Sequence, residues 1–466
     1  MNFMSLEFLA LVTATFGLYH LLPRGMRAEV LAASSLVYIS WFGLPTLGTT
    51  LCLIGANYLA GMAQGAATPG TPKRRAIFAA IVAFDILALG LAKYKGLLPV
   101  SVPVSMLGMS YYVFLLIGYQ ADVYLDKAAP ELNLARFGLF SGFFAKFQAG
   151  PIERTGNLLS QIRSGLARPF DSAMAVSGLR LFAFGMVKKL VIADNISFFI
   201  DPVYANPGIY RPSSVLLAVV LYSFHILYDF SSYTDMARGV GRLFGFELLE
   251  NFRVPYLASN IVEFWRRWHI SLSCWLRDYL YIPLGGNRKG VFRQKLNIII
   301  IFFVCGVWHG GTWNFALWGL AHAGWHILTT TSAGLVAWLR RNRAMEIVLR
   351  FIGVLVTFHF VTAAWILFRS PDLGTAWAML NKAALGYADL LGLETWRMAL
   401  PQPKPLFGYT VFLIAMFEAL SALLESRRLR FDALPQPVRW ASYLCGAALV
   451  AVFASFGKSQ FIYFQF

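Results

Sequence analysis

Charge is scarce in this 466-residue chain. Charged residues make up 14% of it and hydrophobic residues 58%, whereas soluble domains carry about 25% charged residues. A soluble fold is excluded on those figures, and the mean hydropathy of +0.59 agrees. Cysteine is scarce too. Cys52, Cys274, Cys305 and Cys445 are scattered with no Cys-x-x-Cys pair, so there is neither a disulfide framework nor zinc spacing. Cys52, Cys305 and Cys445 lie in apolar runs, where a small buried hydrophobe is the expectation. Walker A, G-x-S-x-G, H-E-x-x-H and Rossmann glycine patterns are absent, which removes support for ATP-driven transport and serine-hydrolase chemistry. The first apolar run, 8–22, lacks a basic leader and a small-x-small cleavage site, and reads as a retained span. Acidic residues number 23 against 40 basic ones, a formal charge of +17. The basic residues sit in short loops, as in Lys73-Arg74-Arg75, Arg340-Arg341-Arg343 and Arg427-Arg428-Arg430. That distribution implies positive-inside topology and contact with anionic lipid, not nucleic acid.

What is abundant is apolar sequence in lengths that suit a bilayer, which takes roughly 20 residues per helix. Runs near 6–22, 29–41, 44–62, 76–92 and 103–121 read as spans, as do runs near 295–309, 314–331, 346–368, 407–424 and 438–455. Asp85 lies inside the fourth run; an intramembrane carboxylate is either functional or held by a structural hydrogen bond. The segment 132–151 is apolar but interrupted by Gly138, Gly142, Lys146, Gln148 and Gly150-Pro151, so a broken or re-entrant helix is expected. A helix is expected over 173–200, and an apolar run over 216–232 that ends in Tyr228-Asp229-Phe230-Ser231. No internal repeat, low-complexity tract or soluble domain is visible. The fold class is therefore all-α and polytopic, one membrane domain over 1–466, with N-terminal helices in 1–125, a core in 126–330 and C-terminal helices in 331–466.

Polar and ionisable groups concentrate between Glu250 and His326, where chemistry is usually found in a membrane protein. Over 261–281 the residues Trp265, Trp268, Leu272, Trp275 and Tyr279 follow helical spacing, with Arg266 and Arg277 on a neighbouring face. One amphipathic helix lying along an interface is expected there. Gly285-Gly286-Asn287 is a turn signal.

Three of the seven histidines, His309, His322 and His326, fall within eighteen residues. His309 follows an apolar run and precedes Gly310-Gly311. A neutral imidazole there is either a general base for a hydroxyl or a packing residue between Trp308 and Trp313. His269 reads as a second base, an orienting donor or a helix cap. His322 and His326 stand one turn apart but have no Asp, Glu or Cys ligand near them in sequence, so no metal site is assigned. On a continuous helix His322 would lie about 220° around from His309, though the glycines should break it. Cys305, one turn before His309, could carry an acyl thioester; nothing nearby lowers its pKa. Asp229 and Asp235 are expected to pair with Arg266, Arg267 or Arg277, beneath a site or as plain ion pairs.

Several ordered blocks carry a resemblance. They are Leu107-Gly108-Met109-Ser110-Tyr111-Tyr112, Ala149-Gly150-Pro151-Ile152, Val187-Lys188-Lys189 with Ile192-Ala193-Asp194-Asn195, and Tyr228-Asp229-Phe230-Ser231 with Tyr233-Thr234-Asp235-Met236. They continue with Asn251-Phe252 and Pro255-Tyr256, Trp265-Arg266-Arg267-Trp268-His269-Ile270-Ser271-Leu272-Ser273, Tyr281-Ile282-Pro283-Leu284-Gly285-Gly286-Asn287-Arg288 and Trp308-His309-Gly310. From about Gly90 onward the chain resembles the membrane-bound O-acyltransferase family, in its bacterial alginate and cellulose O-acetyltransferase branch. Ala145-Lys146-Phe147-Gln148 departs from the family's usual run. The resemblance implies about 11–13 transmembrane or re-entrant helices around a central tunnel, each span near 20 residues. It puts the invariant histidine on His309 and the second position on His269. Trp308, Trp313, Trp265, Arg266, Arg277, Asp229, Asp235, Asn287 and His322 are the candidate lining residues.

The implied reaction moves an acetyl group from a cytoplasmic thioester, acetyl-CoA or another, to a hydroxyl of a secreted exopolysaccharide. No tightly bound cofactor or metal is called for. The implied partners are membrane lipid and periplasmic acetyltransferase or acceptor proteins, and the implied place is the bacterial inner membrane. Three alternatives stand beside this reading. They are a D-alanyl transferase for teichoic acid, a transporter or flippase built on broken helices, and a scaffold for a polysaccharide synthase.

Overall fold

A computed structural model describes residues 1–94, 105–392, 404–426, 431–454 and 461. The start of the expected span at 103, the final residue of the one ending at 455, Arg427-Arg428-Arg430 and most of the aromatic C-terminus lie outside the described residues. The chain is helical, with no strand among the described residues, because a backbone in hydrocarbon must satisfy its own amide groups. Among the described residues five helices are long and apolar enough to cross a membrane, and Leu6–Leu21 is a shorter apolar one. The chain divides into two compact units.

The first unit contains 1–186 and 233–250. Its helices are α1 (Leu6–Leu21), α2 (Arg27–Ser40), α3 (Leu44–Ala66), α4 (Pro72–Lys93), α5 (Met109–Tyr124), α6 (Leu134–Gly142) and α7 (Ser160–Gly165), and most of α8 (Ser172–Val187). Three of them start on a short polar cap: Ser5, Thr71 and Asn133 accept the N–H groups of Phe8, Arg74 and Arg136. Such caps satisfy amide donors left over in the first turn. Asp85 of α4 accepts from Asn57 Nδ2 at 2.8 Å, and Gln120 Nε2 donates to Asn57 Oδ1 at 2.9 Å. The lone carboxylate thus belongs to a buried polar network linking α3, α4 and α5. The expected break in 132–151 is present. α6 stops at Gly142, turns and extended backbone follow, and 143–150 is buried throughout. Glu153 ties this stretch down by accepting from Leu249 N–H and Asn157 Nδ2, both at 2.7 Å. Gly108 caps α5 at φ +68°, and a Cβ there would strike the Phe147 carbonyl; a left-handed residue in so close an approach has to be glycine.

The second unit contains 187–232 and 251–462. Its helices are α9 (Asp194–Ala205), the first part of α10 (Pro212–Leu243), α11 (Ile261–Arg267), α12 (Ile270–Leu276), α13 (Gly290–His309), α14 (Trp313–Thr331), α15 (Ala333–Leu339), α16 (Arg343–Arg369), α17 (Leu373–Asp389), α18 (Lys404–Ser426) and α19 (Gln436–Phe453). α13 and α14 are joined by three residues, so they pack as antiparallel neighbours.

The structure corrects four expectations. The run 216–232 does not close in a polar turn; it lies within α10, a 32-residue helix that runs unbroken through Asp229 and Asp235 to Leu243, because the polar side chains there find buried partners. The stretch 261–281 is not one helix. It breaks at Trp268–His269, with His269 at φ +43°, and a π-turn occupies Arg277–Tyr281. α17 was not foreseen. Cys52 and Cys445 are exposed, while Cys305 is buried. An apolar helix of a membrane protein turns part of its surface toward lipid, so membership of an apolar run does not fix burial.

Candidate active site

α13 ends at His309, and Gly310 leaves the helix in extended conformation. The imidazole is 5% exposed and enclosed by rings. Trp308, Phe368 and Trp318 stand 4.6, 5.1 and 5.4 Å from it, all edge-on. Edge-to-face geometry is the favoured packing of aromatic quadrupoles, and three such contacts fix the ring's orientation. Phe368 comes from α16 and Trp318 from α14, so the pocket exists only where three helices meet.

His269 approaches from the break between α11 and α12. It is 1% exposed, with Phe230 at 4.8 Å and Trp308 at 6.3 Å. Trp308 therefore contacts both imidazoles. Outside the apolar spans, burial pushes the His269 imidazole down to about 3, because an apolar surrounding disfavours the charged form. His269 holds left-handed backbone, which costs a bulky residue of order 1–3 kcal/mol. The neighbouring segment compensates with backbone hydrogen bonds: Ile270 N–H donates to the Asn251 carbonyl and Arg253 N–H to the Arg267 carbonyl, both at 3.0 Å.

His322 completes the cluster. Trp265 Nε1–H donates to its Nδ1 at 3.3 Å, so the proton of a neutral ring resides on Nε2. Trp318, Trp265 and Phe302 pack around it at 4.8, 5.2 and 6.2 Å. Trp318 touches both His309 and His322. Of the expected site residues, His309, His269, Trp308, Trp265 and His322 are thus brought together. Among the described residues no three His, Cys, Asp or Glu side chains gather as metal ligands.

The others lie elsewhere. Trp313 is 73% exposed, since it opens α14 on the outward face, so it does not sandwich His309. Arg266, Arg277 and Asn287 are exposed on the polar side of their segments. The expected pairing of Asp229 and Asp235 with Arg266, Arg267 or Arg277 gives way to local pairs: Arg267 meets Glu263 and Arg277 meets Asp278, both at 2.7 Å. Asp235 pairs with Arg238 one turn away, at 3.7 Å. Asp229 instead meets Lys189 at 2.7 Å, and Lys189 also meets Asp194 at 2.8 Å, all three nearly inaccessible. Lys189 and Asp194 are five residues apart, out of register on an α-helix. The π-turn Lys188–Ala193 carries about one more residue per turn and brings them onto one side.

Sequence reasoning missed Phe368, Phe230 and Lys189 as parts of the surroundings. Lys189 carried a signal, a lysine five residues before an aspartate in an apolar run. The two phenylalanines carried none, because their roles depend on helix–helix contact.

Comparison with known proteins places the chain in a family. The model of "MBOAT, membrane-bound O-acyltransferase family" matches residues 85–369, a stretch that includes both imidazoles. The chain is 34% identical to the "Probable alginate O-acetylase AlgI" of Azotobacter vinelandii, over 86% of this chain and 80% of that protein. It is 31% identical to the "Peptidoglycan O-acetyltransferase" of Helicobacter pylori, over 74% of this chain and 68% of that one. It is 28% identical to the "Teichoic acid D-alanyltransferase" of Bacillus subtilis, over 63% and 77%. A buried histidine cluster in an apolar helical protein, a family model that spans it and relatives that are acyltransferases by name lead to one conclusion: this chain is an integral membrane enzyme and belongs to the membrane-bound O-acyltransferase family.

Proposed function

We propose that the protein moves acetyl groups from a cytoplasmic acyl thioester to hydroxyls of a secreted, alginate- or cellulose-like polysaccharide at the bacterial inner membrane. Relatives named as alginate O-acetylases over 80% or more of their length support this substrate class. The observation that carries the chemistry is His309, enclosed by Trp308, Trp318 and Phe368, with His269 against the same Trp308 ring.

His309 accepts the acceptor hydroxyl's proton as that oxygen attacks the thioester carbonyl. The tetrahedral intermediate collapses, the C–S bond breaks, and the leaving thiolate takes the proton from the imidazolium. The products are an acetyl ester and a free thiol. An enclosure with little water strengthens every hydrogen bond to the developing oxyanion.

Charge distribution supports the direction of transfer. Arg288, Lys289, Arg293 and Lys295 surround the start of α13, and Arg340, Arg341 and Arg343 follow α15, the short helix after α14. By the positive-inside rule these ends face the cytoplasm. His309 is at the opposite end of a 20-residue helix, about 30 Å away. Along one face of α14, Trp318 Nε1, His322 Nε2 and His326 Nδ1 are buried with no hydrogen-bond partner among the described residues. Buried polar atoms without partners are rare unless water or a ligand meets them, so this row suits a passage for the polar arm of the donor. Periplasmic acetyltransferase or acceptor proteins would then receive or direct the acyl group.

The test is His309→Ala, checked for normal detergent gel filtration and then assayed for polymer-bound acetate in polymer-producing cells. Loss of polymer acetate is expected; full acetylation overturns the proposal. Teichoic acid D-alanyl transfer is the second reading, favoured by the relatives of that name. Mass analysis for alanyl rather than acetyl esters decides between the two.

A further inference from the structure

Asn251 steadies the backbone after His269, but its side chain has no part in the reaction as described so far. It is 1% exposed. Its backbone carbonyl accepts Ile270 N–H at 3.0 Å, and its side-chain Oδ1 accepts Ser271 N–H at 3.0 Å. These are the two residues that follow His269. A backbone N–H can meet only the oxygen of the amide, so this bond decides which way the side chain faces. Nδ2 is then turned away from Ser271 with two donors, and it is buried with no hydrogen-bond partner among the described residues.

A buried, oriented amide with unused donors is costly unless something else accepts from it. The surroundings of His269 are aromatic: Phe230 stands 4.8 Å from it and 5.1 Å from Phe252, the residue after Asn251. An acyl carbonyl oxygen of the substrate would supply that acceptor. We propose that Asn251 is a further catalytic residue, whose Nδ2 donates a hydrogen bond to the acyl carbonyl oxygen as it becomes an oxyanion beside His269. The Ser271 bond pre-orients the donor, so no reorganisation accompanies the reaction, which is the condition under which such donors act most strongly.

The inference rests on the reading of His309 as the base, and the experiment separates the two. Thiol release from acetyl-CoA is measured at pH 8.5 with the detergent-solubilised full chain in its native partner complex. The variants are His309→Ala, Asn251→Asp and Asn251→Ala. Aspartate keeps the acceptor for Ser271 N–H and loses the donors; alanine loses both. With Asn251 as donor, both Asn251 variants lose kcat by about 10²–10³, KM for acetyl-CoA stays within about threefold, and only Asn251→Ala melts earlier. The donor role is overturned if Asn251→Asp keeps kcat within about threefold of the parent, if Asn251→Ala remains active while Asn251→Asp does not, or if KM rises in step with the loss of kcat. Activity in His309→Ala overturns the base assignment instead, whatever the Asn251 variants do.

Discussion

Gly306 of α13 and Gly319 of α14 face each other with nothing between them but backbone. A Cβ on Gly306 would strike the Phe315 carbonyl, and one on Gly319 the Phe302 carbonyl; each would also stand 3.4 Å from the other glycine's amide nitrogen. The contact brings Trp318, one residue before Gly319, against the ring of His309. Small residues at a membrane helix interface allow this approach.

Substituting either glycine by alanine should push α13 and α14 apart. Because both carbonyls are backbone, neither can rotate out of the way. Gly306→Ala and Gly319→Ala are expected to lose more than tenfold in acetyl transfer, with destabilisation of about 1–3 kcal/mol from overpacking. Gly324→Ala, with open space around it, is the control and should retain activity. Measuring polymer acetate and apparent melting temperature checks all three.

Lys189 lies between two buried carboxylates, and removing it leaves both without their shared cation. Lys189→Met should cost about 3–5 kcal/mol, the usual penalty for breaking a buried ion pair on one side. Adding Asp194→Asn and Asp229→Asn to that variant removes the stranded charges and should restore much of the melting temperature. No recovery in the triple variant would mean that packing, not charge, is what Lys189 supplies.

His269 sets a pH dependence of stability. Its ordinary value of 6.5 falls to about 3 in the folded protein, because burial disfavours the imidazolium. Below pH 6.5 the unfolded chain binds a proton that the folded chain does not, so stability declines as pH drops from 6.5 toward 3. Above 6.5 the group contributes no slope. His269→Asn should show a shallower loss of melting temperature between pH 7 and pH 5 than the parent, and parallel curves would count against the burial of a neutral ring.

Trp313 offers a contrasting case. At 73% exposure it holds no position around His309, so Trp313→Ala should leave acetyl transfer within about twofold. Trp318→Ala removes a ring that packs on both His309 and His322 and should lose well over tenfold. The pair is read in one polymer-acetate assay. Equal effects from the two substitutions would contradict the arrangement of rings described above.

The sequence alone determined what lies in one dimension. Apolar length gave most spans to within a few residues, the glycines of 132–151 announced the broken helix, and the ordered motifs pointed to His309 and His269. Tertiary structure decided everything that depends on which helices meet. Phe368 reaches His309 from α16, and Lys189 takes Asp229 from the arginines expected to hold it. The amphipathic stripe of 261–281 breaks because Asn251 claims the amides after His269. Periodicity records which face of a helix is apolar. In a membrane both lipid and protein satisfy an apolar face, so only packing shows which residues turn inward.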